Sequence, residues 1–179
     1  FLIMNTELIE VRHDEKLNEE NLKVFLSHLL KRKIKCFDLK QFSGGHANLT
    51  YLISFNDEEY VLRRPPLGPI APSAHDMKRE HNVQKSLHSI FPLVPNSIYF
   101  NDDETIIGSQ FHIIERKKGF VIRKVFPDFL PLNCNFIEKM SEQMIKILSD
   151  LHKINPITVG LEKLGKPQGF VERQLFGWE

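Results

Sequence analysis

The residues best suited to chemistry lie between positions 42 and 80. Phe42–Tyr51, FSGGHANLTY, places Gly44 and Gly45 between two extended segments, where backbone N–H groups can approach an anion with no Cβ in the way. A hairpin turn that needs positive φ at one glycine would look the same, and on this stretch alone both readings stand. The next extended segment ends Val61-Leu62-Arg63-Arg64. Two solvated arginines at a strand end are the plain reading of that pair. Glu80 changes the balance: it lies three residues after Met77 and three before Val83, inside an apolar helical stripe. A carboxylate placed there needs a partner, and the planar fork of Arg63 can supply one bidentately. Alternation turns Arg64 to the opposite face.

These residues need elements to position them. Asn18 can cap a helix with an acidic first turn (Glu19, Glu20), a basic last turn (Lys31, Arg32, Lys33) and Leu22, Phe25, Leu26, Leu29 and Leu30 at helical spacing. Phe37–Phe42, Leu49–Phe55 and Tyr60–Arg64 read as a three-stranded antiparallel meander, punctuated by Gly44-Gly45 and Asn56-Asp57. The proline-rich stretch Pro65–Pro72 is a loop. Ser73 and Asp76 resemble a capping box that opens a helix to about Ile90. Ser97–Phe100 and Gln110–Glu115 form a strand pair, which makes about five strands with one helix inserted after the third. Lys117-Lys118-Gly119 reads as a hinge, and Phe136–Ile154 is an amphipathic helix with Ile137, Met140, Met144, Ile147, Leu148 and Leu151 on one side. The tail from Asn155 to Glu179 carries Gly and Pro throughout and shows no closing element.

Composition narrows the function classes. The 179 residues hold 41% apolar and 26% charged residues, as a globular domain with a core does. Lys and Arg number 24 against 23 for Asp and Glu, so no net field points to nucleic acid or a membrane surface. Cys36 and Cys134 suggest neither a disulfide framework nor a paired metal site, and a cytoplasmic setting fits them. No apolar run approaches the roughly 18 residues that span a bilayer.

With these segments in hand, a resemblance can be stated. FSGGHANLTYLI (Phe42–Ile53), YVLRRPPLGPIAPSAHDMKRE (Tyr60–Glu80) and FHIIERKKG (Phe111–Gly119) resemble the aminoglycoside phosphotransferase and choline kinase superfamily, most closely the branch fused in animals to acyl-CoA dehydrogenases. LSDLHKIN (Leu148–Asn155) is similar to its first large C-lobe helix. The resemblance implies an α+β fold: a protein-kinase-like N-lobe over 1–118, with an antiparallel sheet, an inserted helix and an N-terminal helix, then the hinge and the start of a helical C-lobe over 119–179. It implies ATP as cofactor, with Ser43, Gly44, Gly45, His46, Asn48 and Thr50 covering the phosphates and Arg63 contacting them. Glu80 would orient Arg63, and the hinge backbone around Glu115 and Lys117 would meet adenine. It also implies a small hydroxylated substrate as partner.

The family's catalytic Asp and Asn, and its metal-binding Asp, all follow the helix that here ends near Ile154. Residues 155–179 contain no Asp. The expectation is therefore that no catalytic residue and no metal ligand lies in this chain, that Mg²⁺ takes its ligands from a missing C-terminal part, and that the chain alone is inactive. The alternative is a non-catalytic, pseudokinase-like nucleotide-binding or interaction module. His75, His81 and His88 lack the spacing of three or four that a helical metal pair wants, and structural roles suit them better. His152, Lys118, Phe176 and Trp178 carry no specific signal.

Overall fold

Capping and apolar spacing place the first helix where the sequence expects it. In the computed structural model, which describes residues 7–44, 47–68, 75–122, 125–165 and 168–177, α1 spans Glu19–Leu30 and Asn18 Oδ1 accepts from the Asn21 N–H at 3.0 Å. The helix ends at Lys31 in the left-handed region, φ 52°. Leu22 and Leu26 are buried, with Phe25, Leu29 and Leu30 packed beside them.

The chain divides into two compact units, Phe1–Phe120 and Val121–Glu179. The first is built on a six-stranded antiparallel sheet: β1 Leu8–Ile9, β2 Asp38–Phe42, β3 Leu49–Phe55, β4 Glu58–Arg64, β5 Ser97–Asn101 and β6 Phe111–Glu115, in the order β1-β2-β3-β4-β6-β5. The strand absent from the five-strand expectation is β1, whose two residues are too few to show an alternation. β4 begins two residues early because Asn56 and Asp57, at φ 48° and 65°, form a tight turn with both central residues left-handed. The Asn56 side chain also accepts from the Lys35 N–H and donates to the Lys33 carbonyl, tying this turn to the chain leaving α1.

Register separates the two faces of the sheet. Leu49 pairs with Arg64 and Tyr51 with Leu62, so Leu49, Tyr51, Ile53, Leu62 and Arg64 share the face that packs with the α1 residues into the core. Thr50 pairs with Arg63, and Arg63 with His112, which sets a row of three polar side chains on the other face. Helix α2, Met77–His88, packs against β5 and β6. Its cap is Asp76, which accepts from the Arg79 N–H at 2.9 Å; the expected Ser73 start lies outside the described residues. The connection from β5 to β6 is longer than a simple turn and sends Ile107 into the core.

In the second unit α3 spans Cys134–His152, two residues earlier than expected because Asn133 caps it, accepting from Phe136 N–H at 2.9 Å. Four residues of its stripe, Ile137, Met144, Ile147 and Leu148, are exposed, and Met140 and Leu151 are half-buried. A short helix α4, Phe170–Phe176, starts after Gly169 in the tail, where the sequence shows no closing element. Seven residues flanked by glycines give too little periodicity to stand out. Among the described residues no helix is long and apolar enough to cross a membrane.

Candidate functional site

The Thr50–Arg63–His112 row is met by the first turns of α2. Glu80 is held there by the Asp76 cap, with its N–H on the Asp76 carbonyl at 3.1 Å. Its carboxylate takes Arg63 side-on, with Nε 2.7 Å from Oε1 and Nη2 3.4 Å from Oε2. The short Nε contact is an ion pair whose N–H does not point along the line, so Arg63 Nε has no aligned hydrogen bond. The partner that the apolar stripe demanded for Glu80 is thus in place. Both side chains are about a quarter exposed, at 29% and 25%, so the pair borders solvent and can be reached by a ligand. Burial works to raise the Glu80 pKa, but His112 and the Arg63 guanidinium outweigh it, and the carboxyl stays below its ordinary value.

Asn48 joins this pair to the glycine segment. Turned to satisfy both ends of its amide, it donates to His75 Nδ1 at 2.8 Å and accepts from Arg63 Nη2 at 3.3 Å. His75, at φ 56°, immediately precedes the α2 cap. Loop, strand cation and helix carboxylate are therefore one hydrogen-bonded group. A hollow of about 370 Å³ opens beside it, lined by His75, Asp76, Arg79, Glu80, Val83 and Gln84.

The loop's first residue is anchored from a segment that sequence reasoning passed over. Ser43 N–H donates to the Glu7 carbonyl at 2.7 Å and its own carbonyl accepts from Arg12 Nη2 at 3.2 Å. Arg12 is oriented by Glu15 at 2.9 Å, and the Arg12 N–H donates to the fully buried Gln41 side chain at 3.0 Å. Ser43's own N–H is thus not among the amides an anion would meet. Gly44 and Thr50 are half-buried, and Gly45 and His46 lie outside the described residues.

The reading of Arg63 and Arg64 as two solvated arginines is corrected. Arg64 is only 6% exposed, on the core face as alternation requires, and its Nη1 donates to the Ile107 carbonyl at 3.2 Å. Burial lowers its pKa against the opposing pull of Tyr51 and Glu15. A cation can be buried here because the β5–β6 connection turns a carbonyl toward it.

Glu115 and Lys117 stand at the far end of β6. Three positions along the strand from His112, Glu115 sits about 10 Å away. Its N–H donates to the Asn96 carbonyl at 2.8 Å, and its carboxylate accepts from Asn96 N–H at 3.0 Å and from Lys117 Nζ at 2.9 Å. Lys117 Nζ also reaches the Pro92 carbonyl at 3.2 Å, which ties the expected hinge to the end of the α2 segment. The three histidines set aside as metal ligands have separate structural partners: Asn48 for His75, Ser97 for His81 and the Val94 carbonyl for His88. Among the described residues no three His, Cys, Asp or Glu side chains cluster as a metal site would need.

Comparison with known proteins adds to this geometry. The model of the phosphotransferase enzyme family matches residues 38–179. The chain is 28% identical over 175 residues to acyl-CoA dehydrogenase family member 11 of Gallus gallus, covering 95% of this chain and 22% of that protein. With its Homo sapiens counterpart it shares 29% over 178 residues, covering 97% and 22%. A probable acyl-CoA dehydrogenase of Arabidopsis thaliana is 33% identical over 149 residues, covering 79% and 18%. The chain thus spans about a fifth of the length of these relatives. The crystal structure of a proposed aminoglycoside phosphotransferase from Ralstonia eutropha superposes with a TM-score of 0.69 at 23% identity, covering 91% of this chain and 46% of that one. That likeness establishes the kinase-like fold.

Proposed function

The chain belongs to the phosphotransferase enzyme family, and from that premise we propose that it is the ATP-binding part of a small-molecule kinase that moves the γ-phosphate of ATP to a substrate hydroxyl. The observation that carries the reading is the docking of Arg63 on Glu80, in register with Thr50 and joined through Asn48 to the glycine segment. A partly exposed cation held by a carboxylate from a helix is suited to receive phosphate oxygens without paying to order a long side chain at that moment.

In this reading the amides after Ser43 face the phosphates, Arg63 contacts them, Glu80 orients Arg63, and the backbone around Glu115 to Lys117 borders the base. ATP supplies the transferable phosphoryl group. Mg²⁺ accompanying the nucleotide draws its protein ligands, and the reaction its catalytic Asp, from residues other than those described; residues 151–179 contain no Asp. The acceptor is an alcohol, and kinship with acyl-CoA dehydrogenase family members favours a hydroxyacyl compound over an aminoglycoside or a choline-like alcohol. A cytoplasmic setting suits the two free, exposed cysteines.

Calorimetric titration of ADP and ATP into the 179-residue chain tests the binding step. Arg63→Ala should weaken binding by about 1.5–3 kcal/mol, the value of a hydrogen bond to a charged group. Equal affinity of variant and parent would remove the phosphate role from Arg63. The chain alone should transfer no phosphate. A version extended by roughly 150 residues, about one further domain, should do so with Mg²⁺ and an alcohol acceptor. Nucleotide binding without transfer in the extended protein would favour the non-catalytic module.

A further inference from the structure

A buried imidazole faces the Arg63–Glu80 pair from the neighbouring strand. His112 stands opposite Arg63 across β4 and β6 and opposite Phe100 across β6 and β5, and its side chain is wholly shielded from solvent. Its Nε2 lies 3.6 Å from Glu80 Oε1 and its Nδ1 3.4 Å from Ser97 Oγ, a hydroxyl that is itself 2.7 Å from His81 Nδ1. The charged or titratable groups around it are Arg63 from β4 and Glu80 and His81 from α2, while β5 brings Ser97 and Phe100.

Two buried nitrogens in this cluster lack an aligned hydrogen bond, His112 Nε2 and Arg63 Nε, and both face the same Glu80 oxygen. A native interior rarely leaves such atoms without a reason. Proton bookkeeping supplies one. If His81 Nδ1–H donates to Ser97 Oγ, and the Ser97 hydroxyl donates to His112 Nδ1, the His112 proton must sit on Nε2, aimed at the carboxylate. The opposite tautomer would set a lone pair against a carboxylate oxygen.

We propose that His112 is a positioning residue for the Arg63–Glu80 pair: an imidazole whose Nε2–H, set by Ser97 and His81, draws Glu80 Oε1 from the sheet side and fixes the carboxylate on which Arg63 docks. At 3.6 Å the attraction is electrostatic, and a movement of about half an ångström would close it into a hydrogen bond. When Arg63 turns toward a phosphate, His112 remains to hold Glu80 in place. That consequence rests on the nucleotide reading above; the pairing of His112 with Glu80 does not.

The test uses the 179-residue chain and magnetic resonance. Long-range nitrogen–proton correlations read the His112 tautomer directly, and the Nδ1–H form would overturn the proposal. A carboxyl titration of Glu80 gives the second measurement. His112→Leu should move the Glu80 midpoint upward, and His112→Gln, whose amide N–H reaches the place of Nε2–H, should bring it back toward the parent. A midpoint unmoved by leucine, or moved equally by leucine and glutamine, sinks the idea. If His112→Leu does not fold, Ser97→Ala decides, because losing the hydroxyl should lower the Nε2–H population and raise the Glu80 midpoint; an unchanged spectrum is the negative result. In the folded variants ADP should bind about two- to tenfold more weakly with leucine than with glutamine. A parent chain that binds no ADP would refute the nucleotide reading and leave the His112 assignment to the spectra.

Discussion

Phe111 and Leu148 are both large apolar side chains on regular elements, yet the first is fully buried and the second is 53% exposed. The contrast extends to the two units that contain them. In the sheet-bearing unit, α1 and the connection carrying Ile107 supply a second layer over β2, β3, β4 and β6. In the helical unit α3 buries none of its residues, and among the described residues only Leu161 falls in the buried class. An amphipathic pattern states which face gains from leaving water; a second layer decides whether it does.

The largest expected effect that sharpens this contrast is at the core. Phe111→Ala should lower the stability of the sheet-bearing unit by about 3–5 kcal/mol in denaturant unfolding, since it empties a site bordered by Phe25 at 5.6 Å between ring centroids. A loss below about 1 kcal/mol would break the claim that this face is a close-packed core.

Alkaline titration comes next. Burial pushes the Tyr51 hydroxyl up to about 12, and that hydroxyl donates to the Glu15 carbonyl at 2.7 Å. A phenol whose folded pKa lies above its unfolded value near 10 contributes stability that is intact below about pH 10 and lost as pH rises toward 12. The loss should amount to about 2–3 kcal/mol, and Tyr51→Phe should abolish it. Phenolate absorbance read alongside circular dichroism checks this, and a Tyr51 midpoint near 10 in the folded protein would count against the packing around it.

Helix caps should separate the units more finely. Asn18→Ala and Asn133→Ala each remove a side-chain acceptor worth about 1 kcal/mol. Tertiary burial of Leu22 and Leu26 should keep α1 formed, whereas α3 has no buried residue and should fray measurably at its first turn. Amide exchange distinguishes the two, and equal fraying would weaken the comparison. The smallest effect belongs to Leu148→Gln, which should change unfolding stability by no more than about 0.5 kcal/mol and reduce binding of an apolar dye to the chain.

Legibility in the sequence followed the range of the interaction. The Asn18 cap and the apolar spacing of α1 and α3 act within one or two turns, so they announced those elements to within about two residues, while the Asn133 cap, which sets the true start of α3, was not read. The pairing of Glu80 with Arg63 was legible because a carboxylate in an apolar stripe is costly unless paired, and a cation at a nearby strand end could meet it. Strand β1 and helix α4 were not legible, being two and seven residues long. The Arg12 anchor on Ser43 spans 31 positions, and nothing local to Arg12 marks it.

By itself, then, the sequence determined the order of the longer helices and strands, the face on which Arg63 and Arg64 each lie, and the demand of Glu80 for a cation, because these follow from periods of 2 and 3.6 residues and from the cost of an unpaired charge. Tertiary structure alone decided that β6 sits between β4 and β5, and with that strand order came His112 beside Arg63 and, from the connection before β6, Ile107 over Arg64. The two arginines are chemically alike and adjacent in the chain. One is partly exposed and paired with Glu80 and the other is buried on the core face, because His112 beside the first and Ile107 over the second come from a strand and a connection more than 40 positions away, and no local periodicity encodes a register over that distance.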